Sequence, residues 1–310
     1  MKLVWVMHYK RNFDECHHNK TSQSNPTEMK NKGKNIVIRK ASGETEYFDA
    51  EKLLRSLQQA GADRILAESI LGEVERDLFD GMKTKLIYTM AFRMLRRKNR
   101  RHAMHYRLKR SLFDFGQTGF PFEHFIGEIF KKRGYRVEVG KIIQGHCISH
   151  EVDVIAVNAA EQIFIECKYG VDQGKYVSVQ VPLYVRSRMD DIIRLRKELP
   201  ENAGVKFTGG IATNTRFSDD SVDFGKCSGL MLLGWDYPAG YGLKEIIERD
   251  QVYPITLLEH LSSKQKSVLV EKGIVTCSQL FEQLNVIEEF RLSPVKAQNL
   301  VDELRDILNK

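Results

Sequence analysis

Three charged residues, Asp153, Glu166 and Lys168, have the types and spacing that phosphate chemistry assisted by a divalent cation requires. They lie in E-V-D-V-I-A-V-N-A-A-E-Q-I-F-I-E-C-K, residues 151–168, where two apolar runs flank a polar and small-residue break at 158–161. Runs crowded with Val and Ile around such a break predict a β-hairpin. A turn centred between Ala159 and Ala160 pairs residues whose numbers sum to 319, which sets Asp153 opposite Glu166. Opposed residues sit ~5 Å apart at Cβ, where two like charges destabilise a sheet unless something offsets them. Lys168, two residues on, shares the face of Glu166. Facing carboxylates beside an ammonium suit Mg2+, which takes one or two carboxylates and substrate phosphate at ~2.0–2.1 Å. An exposed strand pair with a cross-strand Glu–Lys contact would carry the same charges. The apolar runs around them favour partial burial, where a charge needs a partner or a metal.

The elements around the hairpin must position these groups. Residues 119–132 predict a helix with Phe122, Phe125, Ile126, Ile129 and Phe130 on one stripe. Glu123 sits beside that stripe, either as a boundary carboxylate near a positive helix start or as a third acid turned toward the hairpin. A strand at 135–139 follows, then a connection through Gln144, Gly145 and His146. His150 lies in that connection, where a histidine more often has no part in proton transfer. After Lys168 the pattern predicts a helix at 177–198 with a break near Pro182, a strand at 205–214 and a last strand at 229–235. The order helix, strand, strand, strand, helix, strand, strand implies a mixed sheet with helices on both faces.

At 310 residues, 42% of them hydrophobic, with a mean hydropathy of −0.37, the chain has room for two or three globular domains. Its five cysteines are scattered without a C-x-x-C pair, so neither a disulfide framework nor a structural zinc site is expected, and a reducing cytoplasm is. No apolar run approaches the ~20 residues of a membrane span. Residues 93–110 hold nine Lys/Arg and no acid against a net charge of +7, so the remainder of the chain is slightly acidic. A solvated helix face is one reading of this run; a field so concentrated favours a polyanionic partner.

Residues 1–34 read as a disordered tail, with Cys16, His17 and His18 an adventitious cluster. Residues 35–110 predict a small β-hairpin turning at Ser42-Gly43, a helix at 50–61 capped by Asp49, a second at 63–78 and a third opened by Thr84. The segments V-I-R-K-x-x-G-E-T-E-Y-F-D-x-E-K (37–52) and D-G-M-K-T (80–84) resemble an ATP-cone, the nucleotide-binding regulatory module of ribonucleotide reductases and their repressor. The resemblance implies that Arg39, Lys40 and Lys52 hold the phosphates of ATP or dATP, with Glu46 and Thr84 near the nucleotide. Ala41-Ser42 departs from the single Asp usual before the Gly, and Arg39 from a usual Lys.

Residues 111–250 carry F-E-H-F, G-Y-R-V, E-V-D-V-I, F-I-E-C-K, V-S-V-Q, G-G-I-A-T-N-T-x-F-S and L-M-L-L-G-W in order. Together they resemble the Mrr-type members of the PD-(D/E)xK restriction-endonuclease superfamily. That resemblance implies a restriction-endonuclease-like α/β fold, with Asp153, Glu166 and Lys168 catalytic, Glu123 helping at the metal and Gln180 bordering the site. Asp153, Glu166 and the backbone carbonyl of Cys167 would hold Mg2+ or Mn2+. Glu151-Val152 precedes Asp153 where the family often has Gly, and Glu166 stands where it often has Gln. Residues 251–310 predict a small helical domain with turns faintly similar to helix-hairpin-helix modules, or a plain packing bundle.

The expectation is therefore a Mg2+-dependent DNA endonuclease that ATP or dATP regulates, of type IV restriction kind and cytoplasmic. It would take DNA through the run 93–110 and the cleft, with no membrane association, as a monomer or as a homodimer or higher oligomer. The alternatives are a catalytically silent, nucleotide-responsive DNA-binding regulator, and a nuclease acting on RNA or branched DNA.

Overall fold

The computed structural model describes residues 36–309 apart from 41, 42, 61, 99 and 173, and within its helices no side chains at 59, 96 and 100–105. The expected tail, with Cys16, His17 and His18, lies outside the described residues, as do Ala41 and Ser42. The chain forms two compact units, Met1–Arg107 and Leu108–Lys310. Among the described residues no helix is long and apolar enough to cross a membrane.

In the first unit β1 (Val37–Arg39), β2 (Thr45–Tyr47) and β3 (Met82–Lys83) form a sheet of order β2-β1-β3, with β1 antiparallel to β2 and parallel to β3. Asp49 accepts from the Lys52 N–H at 3.1 Å and starts α1 (Ala50–Gln59); Asp63 accepts from Leu66 at 2.8 Å and starts α2 (Arg64–Asp77). Then come α3 (Thr84–Lys98) and α4 (Arg100–Phe113), whose span includes the boundary between the units. Leu57, Ile70, Val74, Ile87 and Leu95 bury the apolar stripes of α1, α2 and α3 in one core.

The second unit is built on a mixed five-stranded sheet of order β10-β8-β6-β5-β4. α5 (Phe120–Lys132) leads into β4 (Arg136–Gln144), β5 (Ser149–Val157) and β6 (Glu161–Lys168), which pair antiparallel in sequence. Short β7 (Tyr176–Val177) precedes α6 (Gln180–Glu198) and β8 (Lys206–Thr213), which lies parallel to β6. β9 (Arg216–Phe217) pairs with β7; α7 (Asp219–Ser228) leads to β10 (Met231–Leu233), parallel to β8. α8 (Leu243–Asp250), α9 (Ser263–Glu271), α10 (Cys277–Glu282) and α11 (Pro294–Leu308) complete the unit.

β6 is the central strand, and Phe164 on it is fully buried with Val185, Met189 and Ile192 of α6, Ile211 of β8 and Leu232 of β10. α5 lies on β4 and β5 so closely that a Cβ on Gly127 would come within 3.2 Å of Val137 and Val139. Gly140 takes a left-handed φ of 61° in the middle of β4, a conformation that costs glycine little.

Several elements differ from their expected extents. β4 runs to Gln144, because its full length pairs with β5. Pro182 does not break a helix: α6 starts at Gln180, and Pro182 falls in the first turn, where an N–H has no intrahelical partner. The last strand begins only at Met231, since Gly229 is the left-handed cap of α7, a helix that the sequence pattern did not suggest. α8 was likewise unexpected.

Candidate active site

The β5–β6 ladder runs Val154↔Ile165, Ile155↔Phe164, Ala156↔Ile163 and Val157↔Gln162, every pair summing to 319 as the turn arithmetic required. Asn158 closes the turn by accepting from the N–H groups of Ala160 and Glu161 at 2.8 and 2.9 Å. One step beyond Val154↔Ile165 the pattern changes. The Cys167 N–H donates not to a strand carbonyl but to Asp153 Oδ2, at 2.6 Å. On its other side β6 stays paired with β8 as far as Lys168↔Thr213. The two strands thus form a fork, with Asp153 on one prong and Glu166 and Lys168 on the other.

Glu166 is almost fully buried, and both its oxygens are engaged. Oε1 accepts from Lys168 Nζ at 2.7 Å and from the Tyr184 hydroxyl at 3.1 Å; Oε2 accepts from the Arg188 guanidinium at 2.6 Å. Arg188 also donates to the Glu151 carbonyl. Burial alone would lower the Lys168 pKa, but hydrogen bonds to Glu166 and Tyr184 outweigh it and hold the ammonium above its ordinary range.

Glu123 enters the fork from the first turn of α5. Burial, then repulsion from Asp153, Glu151 and Glu166, pushes its pKa up to about 7. Burial and the Glu166 charge push Asp153 up to about 6, against the opposing Cys167 N–H. The sequence-predicted Glu123, Asp153, Glu166 and Lys168 are therefore brought together. Gln180, at the start of α6, is exposed, one turn before Tyr184 and two before Arg188.

The backbone after Lys168 is held tightly. Thr213 Oγ1 donates to the Lys168 carbonyl at 2.7 Å. The Asn214 amide bonds both backbone groups of Gly170, accepting at 2.8 Å and donating at 2.9 Å. A Cβ on Gly170 would meet Thr215 Cγ2 at 2.6 Å, so only glycine fits there without a shift.

Sequence reasoning missed Tyr184, Arg188 and Asp191. Asp191 accepts from the Cys147 N–H at 2.8 Å and bonds His150 Nε2 at 2.7 Å, which ties the start of β5 and the loop before it to α6. Hydrogen bonds from His150 and the loop amides hold the Asp191 carboxyl well below its usual range, against burial. The i, i+4, i+8 spacing of Gln180, Tyr184 and Arg188 was the signal available.

Among the described residues no three His, Cys, Asp or Glu side chains are grouped to hold a metal ion. The donor chemistry of the fork nevertheless fits a hard divalent cation. Asp153 and Glu166 supply hard oxygen donors, and burial first, then repulsion among the acids, raises Glu123 and Asp153, a repulsion that a divalent charge would offset. Glu166 would meet such an ion at Oε2, beside the Arg188 guanidinium.

In the first unit, Lys40 and Lys52 both reach Glu46, at 3.1 and 3.7 Å, and Thr84 Oγ1 donates to the Arg39 carbonyl at 3.0 Å. Of the basic run, Arg93, Arg97 and Lys98 are exposed on α3. Lys109 instead lies 5.8 Å over the Trp235 ring, its pKa lowered by burial and by Arg216.

Residues 253–308 match a family model described as AF1548-like, C-terminal. An uncharacterized protein of Archaeoglobus fulgidus is 27% identical over 184 residues, which are 59% of this chain and 99% of that protein. The crystal structure of a protein of unknown function, AF1548, is 27% identical with a TM-score of 0.50, covering 62% of this chain and 99% of that one. The MspJI restriction endonuclease in complex with a 27-mer oligonucleotide aligns at 15% identity and a TM-score of 0.31, over 56% of this chain and 36% of that one.

Proposed function

We propose that the chain is a divalent-metal-dependent nuclease acting on DNA, and that nucleotide binding in residues 35–110 regulates it. The observation that supports this most is the convergence of Glu123, Asp153, Glu166 and Lys168 where β5 and β6 part. Asp153 and Glu166, with the Cys167 carbonyl, would hold Mg2+ or Mn2+, with Glu123 close enough to feel their charge. When bound, such an ion would supply Lewis-acid polarisation of a phosphate and would acidify a bound water. Lys168 orients that water or donates to the phosphate oxygen that gains charge. Glu166 keeps Lys168 protonated for this, and Tyr184 fixes the pair from α6.

Plasmid DNA incubated with Mg2+ or Mn2+ tests the reading. The wild type should nick or linearise it, while Glu166→Ala and Lys168→Ala should each cut at least ~100-fold more slowly. Equal rates for all three would sink the enzyme reading. The engagement of Glu166 by Lys168, Tyr184 and Arg188 favours one rival, a silent DNA-binding regulator, which would bind the plasmid in the same assay without cutting it.

The regulatory part rests on the cone-like motif and on the meeting of Lys40 and Lys52 at Glu46, where a triphosphate would find two cations within reach. Lys40→Ala combined with Lys52→Ala should weaken binding of a fluorescent ATP analogue by ~10-fold or more. Unchanged binding would remove this region from the nucleotide site.

A further inference from the structure

Arg188 is the least expected member of the fork. It comes from the third turn of α6, not from the hairpin, and its side chain is three-quarters buried, 25% exposed, against a Glu166 only 7% exposed. One guanidinium nitrogen donates to Glu166 Oε2 at 2.6 Å and another to the Glu151 carbonyl. The opposite oxygen, Oε1, already accepts from Lys168 and Tyr184. Oε1 is filled by two donors, whereas Oε2 accepts from Arg188 alone and keeps a second lone pair, so an ion entering there would stand beside the guanidinium charge. Lys168 is placed two residues away on the same strand, and the Thr213 bond to its carbonyl pins its backbone. Arg188, from another element, is the partner at Oε2, the oxygen that has a lone pair left for an ion.

We propose that Arg188 is a built-in competitor for the divalent cation, occupying the positive-charge position at Glu166 Oε2 and thereby setting the affinity of the fork for metal. The inference rests on the metal-site reading above and adds to it a residue that opposes loading. A guanidinium stays charged at every accessible pH, so this competition does not switch off in alkali. It and a divalent ion cannot share one carboxylate oxygen without strong repulsion across a few ångströms. The guanidinium therefore opposes loading of metal at Oε2, and loading is eased as it swings off Glu166. Without Arg188 the Glu166 charge would be short of a partner, which an incoming ion would supply.

The experiment is Mn2+ titration of the full-length, metal-free protein, with free Mn2+ read by electron paramagnetic resonance. Wild type, Arg188→Gln, Arg188→Lys and Glu166→Gln are compared, each with its fold checked by circular dichroism. Arg188→Gln should bind Mn2+ ~10-fold more tightly than wild type, and Glu166→Gln should bind at least ~10-fold more weakly. Arg188→Lys keeps the charge but loses the fork that bridges Glu166 and Glu151, so it should fall between wild type and Arg188→Gln. It also serves as the test if Arg188→Gln does not fold. Equal or weaker binding by both Arg188 variants, with Glu166→Gln still impaired, would overturn the competitor and make Arg188 an orienting group for Glu166. Binding absent from wild type and every variant would instead overturn the metal site itself, and the competitor with it.

Discussion

Glu123 shows at the scale of one residue what the fork costs. Its pKa rises from an ordinary 4.5 to about 7, and that of Asp153 from 3.8 to about 6, burial leading in both. A raised carboxylate pKa means that the native state keeps a proton the unfolded chain has released. Between about pH 4 and pH 7 the metal-free protein therefore loses stability as pH rises, and below that window both states are protonated alike. Glu123→Gln removes part of the penalty. With EDTA present it should raise stability at pH 8 by on the order of 1 kcal/mol, discounted for partial exposure, and leave it unchanged at pH 4. Thermal melts at the two pH values check this, and a variant less stable at pH 8 would contradict it. Asp153, Glu166 and Lys168 could be set together from the turn centre of the hairpin, whereas spacing left Glu123 open and the family resemblance chose its side. Arg188 was not named: its i+8 spacing from Gln180 sets it on the same face of α6, but several other cations share that helix and the spacing does not say which carboxylate it meets.

The fork itself is a property of elements. β6 keeps its ladder to β8 while its ladder to β5 ends at Val154↔Ile165, so Glu166 and Lys168 depend on the β8 side for their position. Asn214 is the fastening there, buried and bonded to both backbone groups of Gly170. Asn214→Ala strands two backbone groups and should cost about 2 kcal/mol in denaturant unfolding. By loosening the chain after Lys168 it should also lower kcat of cleavage more than it raises KM. A change confined to KM would mean that Asn214 serves binding alone. The hairpin register was legible because the turn centre by itself fixes which residues face one another. α7 was not: D-D-S-V-D-F-G-K-C-S has too few apolar positions for a stripe, and only Ser218 and Gly229 at its two ends mark it as a helix. α8 is only eight residues long, too short for periodicity to rise above chance.

For the whole molecule, charge and connectivity matter more than any one contact. The C-terminal helices belong to the same compact unit as the sheet, fastened by Thr256 Oγ1 to the Ser111 carbonyl at 2.6 Å and by Arg133 to Asp250 at 2.7 Å. Buried Glu303 holds the Glu259 and His260 N–H groups there, at 2.7 and 3.1 Å. The concentrated cations of 93–110 give a test that does not depend on chemistry at the fork. Arg97→Gln with Lys98→Gln, both exposed, should reduce the salt dependence of DNA affinity by about 1.8 in log–log slope, equally on any sequence. An unchanged slope would leave this run a merely solvated face. The sheet order also leaves nine-residue β4 on one margin, opposite the three-residue β10. A margin that long is a template on which strands of other chains can grow. Gly140 interrupts it near the middle with a left-handed bend, and Arg136, Glu138 and Lys141 set charges along it. A strand arriving from another copy finds two short stretches instead of one long one, and the molecule resists fibre-like stacking at the point where its own sheet is most open.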